Sequence, residues 1–309
     1  MEIVQSIANY DKSRAAVVTI GTFDGVHIGH RKILDRLIRQ AEKKGLYSTV
    51  LTFFPHPRMV LQQDSGLKLL NTLEEKIAIL EETGLDCLVI HPFTKEFSRL
   101  TAEEFVVDNL FHELNARKVI IGYDHRFGRN RTADIGDLRE YGNELGFEVE
   151  EIPAQEINEV SVSSTKIRRA LEEGDIPTAN RYLGYPYMLS GTITKGKGLG
   201  RTLNFPTANL KIPESYKLVP KNGAYVIKST VEGTSLYGMM NIGVNPTVDG
   251  KSRSIEIHFF DYSEDLYGKL IRVEVLHRLR DEQKFDSLDA LRQQLDRDKI
   301  IALDFIQSQ

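Results

Sequence analysis

Apolar segments of strand length alternate with amphipathic helical segments through the first half of the chain. The strand-like segments are AAVVTI, STVLTFF, CLVIHPF, ARKVIIGY and FEVEEIPA. A helical pattern follows the first of them, HRKILDRLIRQAEKK at 30–44, and others lie between the later ones. This alternation predicts an α/β domain with a mostly parallel sheet and helices on both faces. In such sheets, ligands bind beyond the carboxyl ends of the strands.

The pattern changes near residue 185. Short apolar segments with frequent glycines follow, namely MLSGTITKG, GAYVIKSTVEG, TSLYGMMNIGV, SIEIHFFDY and KLIRVEVLHRL. They predict an antiparallel barrel or sandwich. A last segment, SLDALRQQLDRDKIIALDFI, has helical spacing and should pack against it. We therefore predict two domains, 1–184 and 185–309, a number that suits a chain of 309 residues.

Composition excludes several classes of protein. The net charge is −4, with 40 basic and 44 acidic residues interspersed, so no nucleic-acid partner is expected. The single cysteine, Cys87, excludes an intramolecular disulfide and a cysteine-rich zinc site. No apolar stretch approaches the roughly 20 residues of a membrane span, and the first residues lack a secretory pattern. We expect a cytoplasmic protein without membrane partners, and the sequence leaves a weak homo-oligomer open.

The segment GTFDGVHIGH, residues 21–30, joins the first strand to the first helix. A glycine turn there directs backbone N–H groups and the positive end of a helix dipole at a ligand, which suits phosphate. His27 and His30 share one face of the first turn and could hydrogen-bond phosphates as charge builds in a transition state. The segment lacks the spacing of a Walker loop and a third metal ligand. The alternative is a set of ordinary polar residues at a helix start.

Polar motifs also follow the next strands. FFPHPR, HPF and GYDHRFG each stand at a predicted strand end, so we expect one crevice lined by His56, Arg58, Asp124 and Arg126. Two alternatives stay open. FFPHP can be a rigid turn capped by His56. The arginines of the last motif, Arg126, Arg129 and Arg131, can belong to a solvated loop.

A helix start follows at VSSTKIRRALEEG. The hydroxyls of its first residues can cap the helix, whereas its basic side chains oppose the helix dipole unless an anion is bound there. Candidate phosphate ligands are therefore Ser164, Thr165 and Arg168. A capped helix with solvent-facing basic residues is the alternative.

In the second half, TKGKGLGRTLNFPTANL alternates glycine with basic residues. Such a loop can cover phosphates, although a hairpin with a basic tip explains it equally well. Its members are Lys195, Gly196, Lys197, Gly198, Gly200 and Arg201. Thr207 and Asn209 follow and offer the hard oxygen ligands that suit Mg²⁺.

Glu256 lies in a predicted strand between Ile255 and Ile257. If its face points inward, a carboxylate there is costly unless it has a task, and a general base for a hydroxyl nucleophile is the natural one. If its face points outward, Glu256 is an ordinary surface acid.

Together these motifs resemble known families. GTFDGVHIGH and SSTKIR resemble the two signatures of the nucleotidylyltransferase superfamily. PTAN, NIGVNPT, EIHFFDYSEDLYG and LRDEQKFDSLDALRQQLDRD resemble the riboflavin kinase module. In this order they resemble the bacterial bifunctional riboflavin kinase and FMN adenylyltransferase family over nearly the whole chain. The resemblance implies a Rossmann-like nucleotidylyltransferase domain at 1–184 and a kinase-like β-barrel with a terminal helix at 185–309.

The resemblance also implies two ATP-dependent reactions, from riboflavin to FMN and from FMN to FAD, with Mg²⁺ as cofactor. In the adenylyltransferase it places ATP at Gly21, Phe23, Asp24, His27, His30, Ser164, Thr165 and Arg168, and FMN at Phe54, His56, Pro57, Asp124 and Arg126. In the kinase it places ATP at Gly191, Lys195, Gly196, Lys197, Gly198, Gly200, Thr207 and Asn209, the metal at Thr207 and Asn209, flavin at Arg280, and the base at Glu256.

Two positions depart from the commoner family pattern. His125 stands where phenylalanine is frequent, which bears on flavin stacking, and Asn204 where glycine is frequent, which bears on loop geometry. Two other functions remain open at this point. One is a single-activity enzyme with one inactive module. The other is a flavin-responsive regulator of RNA, although no basic stripe or aromatic RNA-binding motif is evident.

Overall fold

The computed structural model describes residues 1–62, 66–123, 125–153, 162–195, 205–247, 250–262 and 264–309. The chain forms two compact units, Met1–Ser163 and Ser164–Gln309. Two helices that precede residue 184 belong to the second unit by their contacts. The functional boundary between 184 and 185 stays a prediction.

A parallel sheet of six strands forms the centre of the first unit in the part of the chain that is described. The strands are β1 (Glu2–Val4), β2 (Ala16–Ile20), β3 (Tyr47–Phe54), β4 (Cys87–Pro92), β5 (Ala116–Gly122) and β6 (Glu148–Ile152), in the order β1-β4-β3-β2-β5-β6. The predicted parallel sheet is confirmed. No sequence pattern indicates β1, a strand of three residues of which Val4 alone is buried.

The order of the strands reverses at β2, which pairs with β3 on one side and with β5 on the other. Ligands of open α/β sheets bind at such a reversal, outside the carboxyl ends of the strands. The segment 21–30 begins at the end of β2, so it stands at this position.

Helices cover the sheet; the second of them was not predicted, and the others stand at the predicted places. They are α1 (Ile28–Lys44), α2 (Pro57–Leu61), α3 (Leu73–Glu81), α4 (Ala102–Glu104, continued as the π-helix Phe105–Glu113) and α5 (Ile135–Leu145). Helix α1 buries Leu34, Leu37 and Ala41 and ends at Gly45, whose φ of 63° suits glycine. The apolar stripe thus holds the first turn of α1 near the carboxyl end of β2.

The second unit is a closed antiparallel barrel with flanking helices. Its elements are α6 (Ser164–Glu173), α7 (Ile176–Leu183), β7 (Tyr187–Thr194), β8 (Ala208–Lys211), β9 (Gly223–Val231), β10 (Thr234–Thr247), β11 (Gly250–Phe259), β12 (Leu270–Asp281) and α8 (Leu288–Gln307). The barrel order is β10-β11-β8-β7-β12-β9. A barrel with a terminal helix is therefore confirmed, and α7 and β8 are additional elements.

The terminal helix packs on the outside of the barrel. Ala302 of α8 lies in one apolar cluster with Phe205, Val226, Met239 and Phe260. The next residue of β9, Ile227, is also buried and faces the opposite side of the strand, into the barrel. No helix in the described ranges is long and apolar enough to cross a membrane.

Candidate functional site

The strand-end loop, residues 21–27, has an unusual backbone. Phe23 and Val26 adopt positive φ values of 46° and 33°, and Gly25 one of 87°. Non-glycine residues occupy that region at a cost, and such strain clusters at functional sites. A Cβ added at Gly21 would lie 3.0 Å from Cε2 of Phe23, so glycine lets the ring fold back against the backbone.

The two histidines of this segment form a stacked pair at the start of α1. Their ring centroids lie 3.7 Å apart with planes 16° from parallel. His27 is the N-cap, and its Nδ1 accepts from the backbone N–H of His30 at 3.4 Å. Phe23 packs on His30 with ring centroids 5.0 Å apart. The spacing predicted one shared helix face, and the structure places both rings together there.

Burial keeps both imidazoles neutral at pH 7. It lowers the pKa of His27 to about 4, against the opposing effect of the Asp24 carboxylate. Burial also holds the pKa of His30 well below its usual value, and interaction with the His27 ring and the Lys76 ammonium lowers this pKa further. The Nδ1 atom of His30 is buried and has no hydrogen-bond partner among the described residues. A neutral pair at a helix N-terminus can donate hydrogen bonds to an oxyanion.

Asp24 anchors the strand-end loop. Its side chain is 2% exposed, and Oδ1 accepts from the backbone N–H of Leu70 at 2.9 Å. The carboxylate therefore holds the loop against the segment before α3. Its predicted place near the nucleotide stays a prediction.

The second strand end shows how the predicted turn is built. His56 is the N-cap of α2, since its Nδ1 accepts from the backbone N–H of Arg58 at 3.1 Å. Phe54, His56 and Pro57 are half-buried at the end of β3, and Arg58 is exposed. This capping matches the rigid-turn alternative, and flavin contact by these residues stays a prediction.

The fourth strand end is described except for Asp124, so the prediction for that residue lies outside the described residues. Arg126, Arg129 and Arg131 are exposed. Phe127 pairs with Ala133 in an antiparallel bridge that closes the loop. The loop is thus a tight turn that presents its arginines outward.

Sequence reasoning missed an aromatic cluster beyond the ends of β3, β4 and β5. Phe97 is its centre and contacts His91, Phe53, Phe93 and Phe105 with ring centroids 4.4 to 6.1 Å apart. The cluster continues from Phe105 to Phe127 and on to His125, with ring centroids 6.0 and 6.3 Å apart. The aromatic residues of HPF, EFSR and RFG are scattered along the sequence, so only the fold brings them together.

The third candidate set lies on α6, in the second unit. The helix begins at Ser164, within the predicted SST start, and buries Ile167 and Leu171. Thr165 is exposed, and Arg168 is half-buried. These side chains stay candidate phosphate ligands.

On the barrel, the structure brings Thr207 and Glu256 together. Oγ1 of Thr207 donates to Oε2 of Glu256 at 3.4 Å. Asn209 pairs with Glu256 across β8 and β11, so both side chains project to one face. Ile255 and Ile257 are buried on the opposite face. The carboxylate is therefore outside the apolar barrel interior, half-buried in a polar row. The inward-facing alternative is wrong, so the assignment of Glu256 as a base depends on the family resemblance and not on the cost of burial.

The polar row contains one residue that sequence reasoning missed. Asn241 of β10 pairs with Glu256 on its other side. Its place in NIGVNPT was part of the family resemblance, but the strand register is what aligns Asn241, Glu256 and Asn209. Threonine, amide and carboxylate oxygens are ligands that suit Mg²⁺. The donor set thus fits the metal that the resemblance implies.

The remaining kinase candidates have different positions. Gly191 is buried, and a Cβ there would lie 2.5 Å from the Lys211 carbonyl oxygen, so glycine allows β7 and β8 to approach. Lys195 is exposed, with Nζ 5.7 Å from the centre of the Tyr267 ring. The predictions for Gly196, Lys197, Gly198 and Gly200, with Arg201 and Asn204, lie outside the described residues.

Arg280, the predicted flavin contact, makes an ion pair. Its Nη2 lies 2.8 Å from Oδ2 of Asp298 on α8, and its guanidinium also stacks over Phe285 with 5.7 Å to the ring centre. The guanidinium therefore joins β12 to the terminal helix.

Two family models match the chain. One, described as FAD synthetase, matches residues 9–166, and the other, described as riboflavin kinase, matches residues 183–306. The two matched ranges follow the order of the two sets of motifs.

Curated relatives match over nearly the full length. A protein of Escherichia coli (strain K12) is 36% identical over 308 residues, which is 99% of this chain and 98% of the relative. One of Listeria monocytogenes is 38% identical over 285 residues, 92% and 90% of the two chains. One of Bacillus subtilis is 35% identical over 295 residues, 94% and 92% of the two chains. All three are named bifunctional riboflavin kinase/FMN adenylyltransferase.

A solved structure from Streptococcus pneumoniae has the same fold throughout. It superposes with a TM-score of 0.88 at 30% identity and covers 97% of both chains. That structure is described as a macrolide-efflux protein.

Proposed function

The chain belongs to the bifunctional riboflavin kinase/FMN adenylyltransferase family, and on that premise we propose how its residues divide the two reactions. It phosphorylates riboflavin to FMN with ATP, and it adenylylates FMN with a second ATP to give FAD and pyrophosphate. The assignment of one reaction to each half of the chain rests on one observation: each family model matches the range that contains the motifs of its own reaction. The FAD synthetase range contains the His27 and His30 pair, and the riboflavin kinase range contains Thr207 and Glu256.

For adenylyl transfer, we assign the ATP phosphates to the N-terminus of α1. A phosphate oxygen of FMN attacks the α-phosphorus, a new P–O bond forms, and the bond to the β-phosphate oxygen breaks to release pyrophosphate. His27 and His30 are neutral and donate hydrogen bonds to the charge that develops. Gly21, Phe23 and Asp24 shape the loop beneath the nucleotide, and family likeness adds Ser164, Thr165 and Arg168 to the phosphate ligands.

We assign FMN to the neighbouring strand ends. The side chains proposed there by family likeness are Phe54, His56, Pro57, Asp124 and Arg126. Reaction follows from alignment of the two substrates and from charge stabilisation, so no covalent enzyme intermediate is needed.

For phosphorylation, we assign Glu256 as the base that accepts the proton of the ribityl 5′-hydroxyl. The oxygen then attacks the γ-phosphorus of ATP, and ADP leaves. Thr207, which donates to Glu256, and Asn209 would hold Mg²⁺. When bound, the metal supplies positive charge that neutralises the phosphates.

The other kinase residues have supporting places in this proposal. By family likeness, we assign the ATP phosphates of the kinase reaction to Gly191, Lys195, Gly196, Lys197, Gly198 and Gly200. Arg280 supports the flavin side because its ion pair fixes α8 against β12. We infer a cytoplasmic enzyme, since both steps consume ATP, with small-molecule partners and no nucleic-acid or membrane partner.

The test is a time course on the full chain. Riboflavin, ATP and MgCl₂ should give FMN first and FAD later, separated by chromatography. FMN supplied directly should give FAD and pyrophosphate without a lag. Omission of MgCl₂ with a chelator present is the control for the metal. FMN that accumulates and never becomes FAD would overturn the two-step assignment and favour a single-activity enzyme.

A further inference from the structure

Lys76 of α3 is a buried cation that contacts the strand-end loop. Its side chain is 5% exposed, and its Nζ donates to the Thr22 carbonyl oxygen at 2.8 Å. Oγ1 of Thr52 donates to the same carbonyl at 3.3 Å. Thr22 lies between Gly21 and the positive-φ residue Phe23, so Lys76 fixes the peptide at which the chain leaves β2.

Among the described residues, Asp24 and His30 interact electrostatically with this ammonium. Asp24 of the strand-end loop favours the charged form of Lys76, but burial outweighs that effect and lowers the pKa of Lys76 to about 8. From α1, the imidazole of His30 lies close enough for the Lys76 charge to lower its pKa. On α3 itself, the neighbouring Glu75 is bound in the capping box with Thr72. At pH 7 the strand-end loop therefore has a buried positive charge on one side and two neutral imidazoles nearby.

A buried charge is costly unless it has a partner or a task. Neither reaction step described above uses Lys76. A triphosphate bound at the start of α1 would add negative charge to a region where the ammonium is poorly hydrated, and there the attraction is weakly screened.

We propose that Lys76 is a positioning residue for adenylyl transfer, which holds the strand-end loop through Thr22 and provides positive potential behind His30 for the ATP phosphates. This inference rests on the proposed placement of ATP at the N-terminus of α1. By linkage, ATP binding and protonation of Lys76 strengthen each other. The efficiency of FAD formation should then fall as the pH rises past the point at which Lys76 loses its proton.

The test compares Lys76→Met, which removes the charge at similar length, with Lys76→Arg, which keeps it. With FMN and ATP supplied, we expect Lys76→Met to lower kcat/KM for ATP at least about 10-fold, mainly through KM, and Lys76→Arg to lower it less. Riboflavin phosphorylation in the same samples should stay unchanged. Lys43→Met, at an exposed position of α1, is the matched lysine control.

The pH profile separates an electrostatic role from a structural one. Wild-type kcat/KM for ATP, measured from pH 6.5 to 9.5, should decline on the alkaline side, and Lys76→Met should lack that decline. A wild-type profile without the decline overturns the proposal, even if the variant does not fold. So does a Lys76→Met variant that keeps either the wild-type efficiency or the alkaline decline.

A third variant distinguishes failure of this inference from failure of the site assignment. His30→Ala should abolish FAD formation if ATP lies at the start of α1. Loss in His30→Ala with full activity in Lys76→Met overturns the role of Lys76 alone. Full FAD formation in His30→Ala overturns the placement of ATP and, with it, the inference.

Discussion

Arg280 of β12 donates from Nε to both carboxylate oxygens of Asp298, at 3.1 and 2.9 Å. Asp298 is 2% exposed on α8 and also accepts from Nε2 of Gln294 at 2.8 Å. Removal of one partner from a buried pair leaves the other charge uncompensated. The pair therefore controls how firmly the terminal helix is attached to the barrel.

We expect Asp298→Ala to lower the free energy of unfolding of the barrel by about 3 kcal/mol, because the Arg280 side chain, only 14% exposed, loses its carboxylate partner. Urea unfolding followed by circular dichroism measures the change. Asp296→Ala, at an exposed position of the same helix, is the control and should unfold like the wild type. Equal midpoints for the two variants would contradict the structural role of the pair.

Glu256→Gln should separate the two activities. The amide keeps the size of the side chain but cannot accept the hydroxyl proton, so FMN formation should fall by about 10²-fold or more. FAD formation from supplied FMN should remain at the wild-type rate. Chromatography of both reactions measures the effect, and Glu264→Gln, at an exposed position, is the control. Unchanged phosphorylation in Glu256→Gln would show that another group accepts the proton.

Much of this fold could be predicted because hydrophobic periodicity is a local property. The parallel sheet, α1, the barrel strands and α8 each have a clear period. β8 was missed because it has only four residues and begins within PTAN, a segment that favours a turn. α7 was missed because it has only eight residues with proline in its first turn, although its buried residues Ile176, Ala179 and Leu183 follow helical spacing.

The site could be predicted only where its residues are close in sequence. His27 and His30 are three positions apart, so their shared face follows from helix geometry. The face of Glu256 could not be chosen, because alternation shows that it opposes Ile255 and Ile257 but not which side is the interior. Lys76 reaches Thr22 only through the packing of α3, and a single lysine in a helix has no sequence signal for such a contact.

Thr207→Val tests the proposed Mg²⁺ ligands. Valine keeps the shape of the side chain but removes the oxygen that donates to Glu256. We expect FMN formation to fall at least about 10-fold and half-maximal activity to need more MgCl₂, because one hard oxygen ligand is lost. A MgCl₂ titration of initial rates gives both values, with the exposed Thr230→Val as control. An unchanged MgCl₂ requirement would exclude Thr207 as a ligand.

The His27 imidazole should make the first unit sensitive to acid. Its pKa is about 4 in the folded chain, because of burial, and near 6.5 when unfolded. The unfolded chain therefore binds more protons between these values. The contribution of neutral His27 to the free energy of unfolding is fully present above pH 6.5. It falls by about 3 kcal/mol as the pH drops towards 4, and His30 acts in the same direction.

Urea midpoints measured at pH 7.5 and pH 5 check this expectation. His27→Asn should show a smaller drop between the two pH values than the wild type, because asparagine does not titrate and remains a good N-cap. His112→Asn, at an exposed position, should keep the full drop. If His27→Asn and the wild type lose the same stability at pH 5, the acid sensitivity arises from other groups.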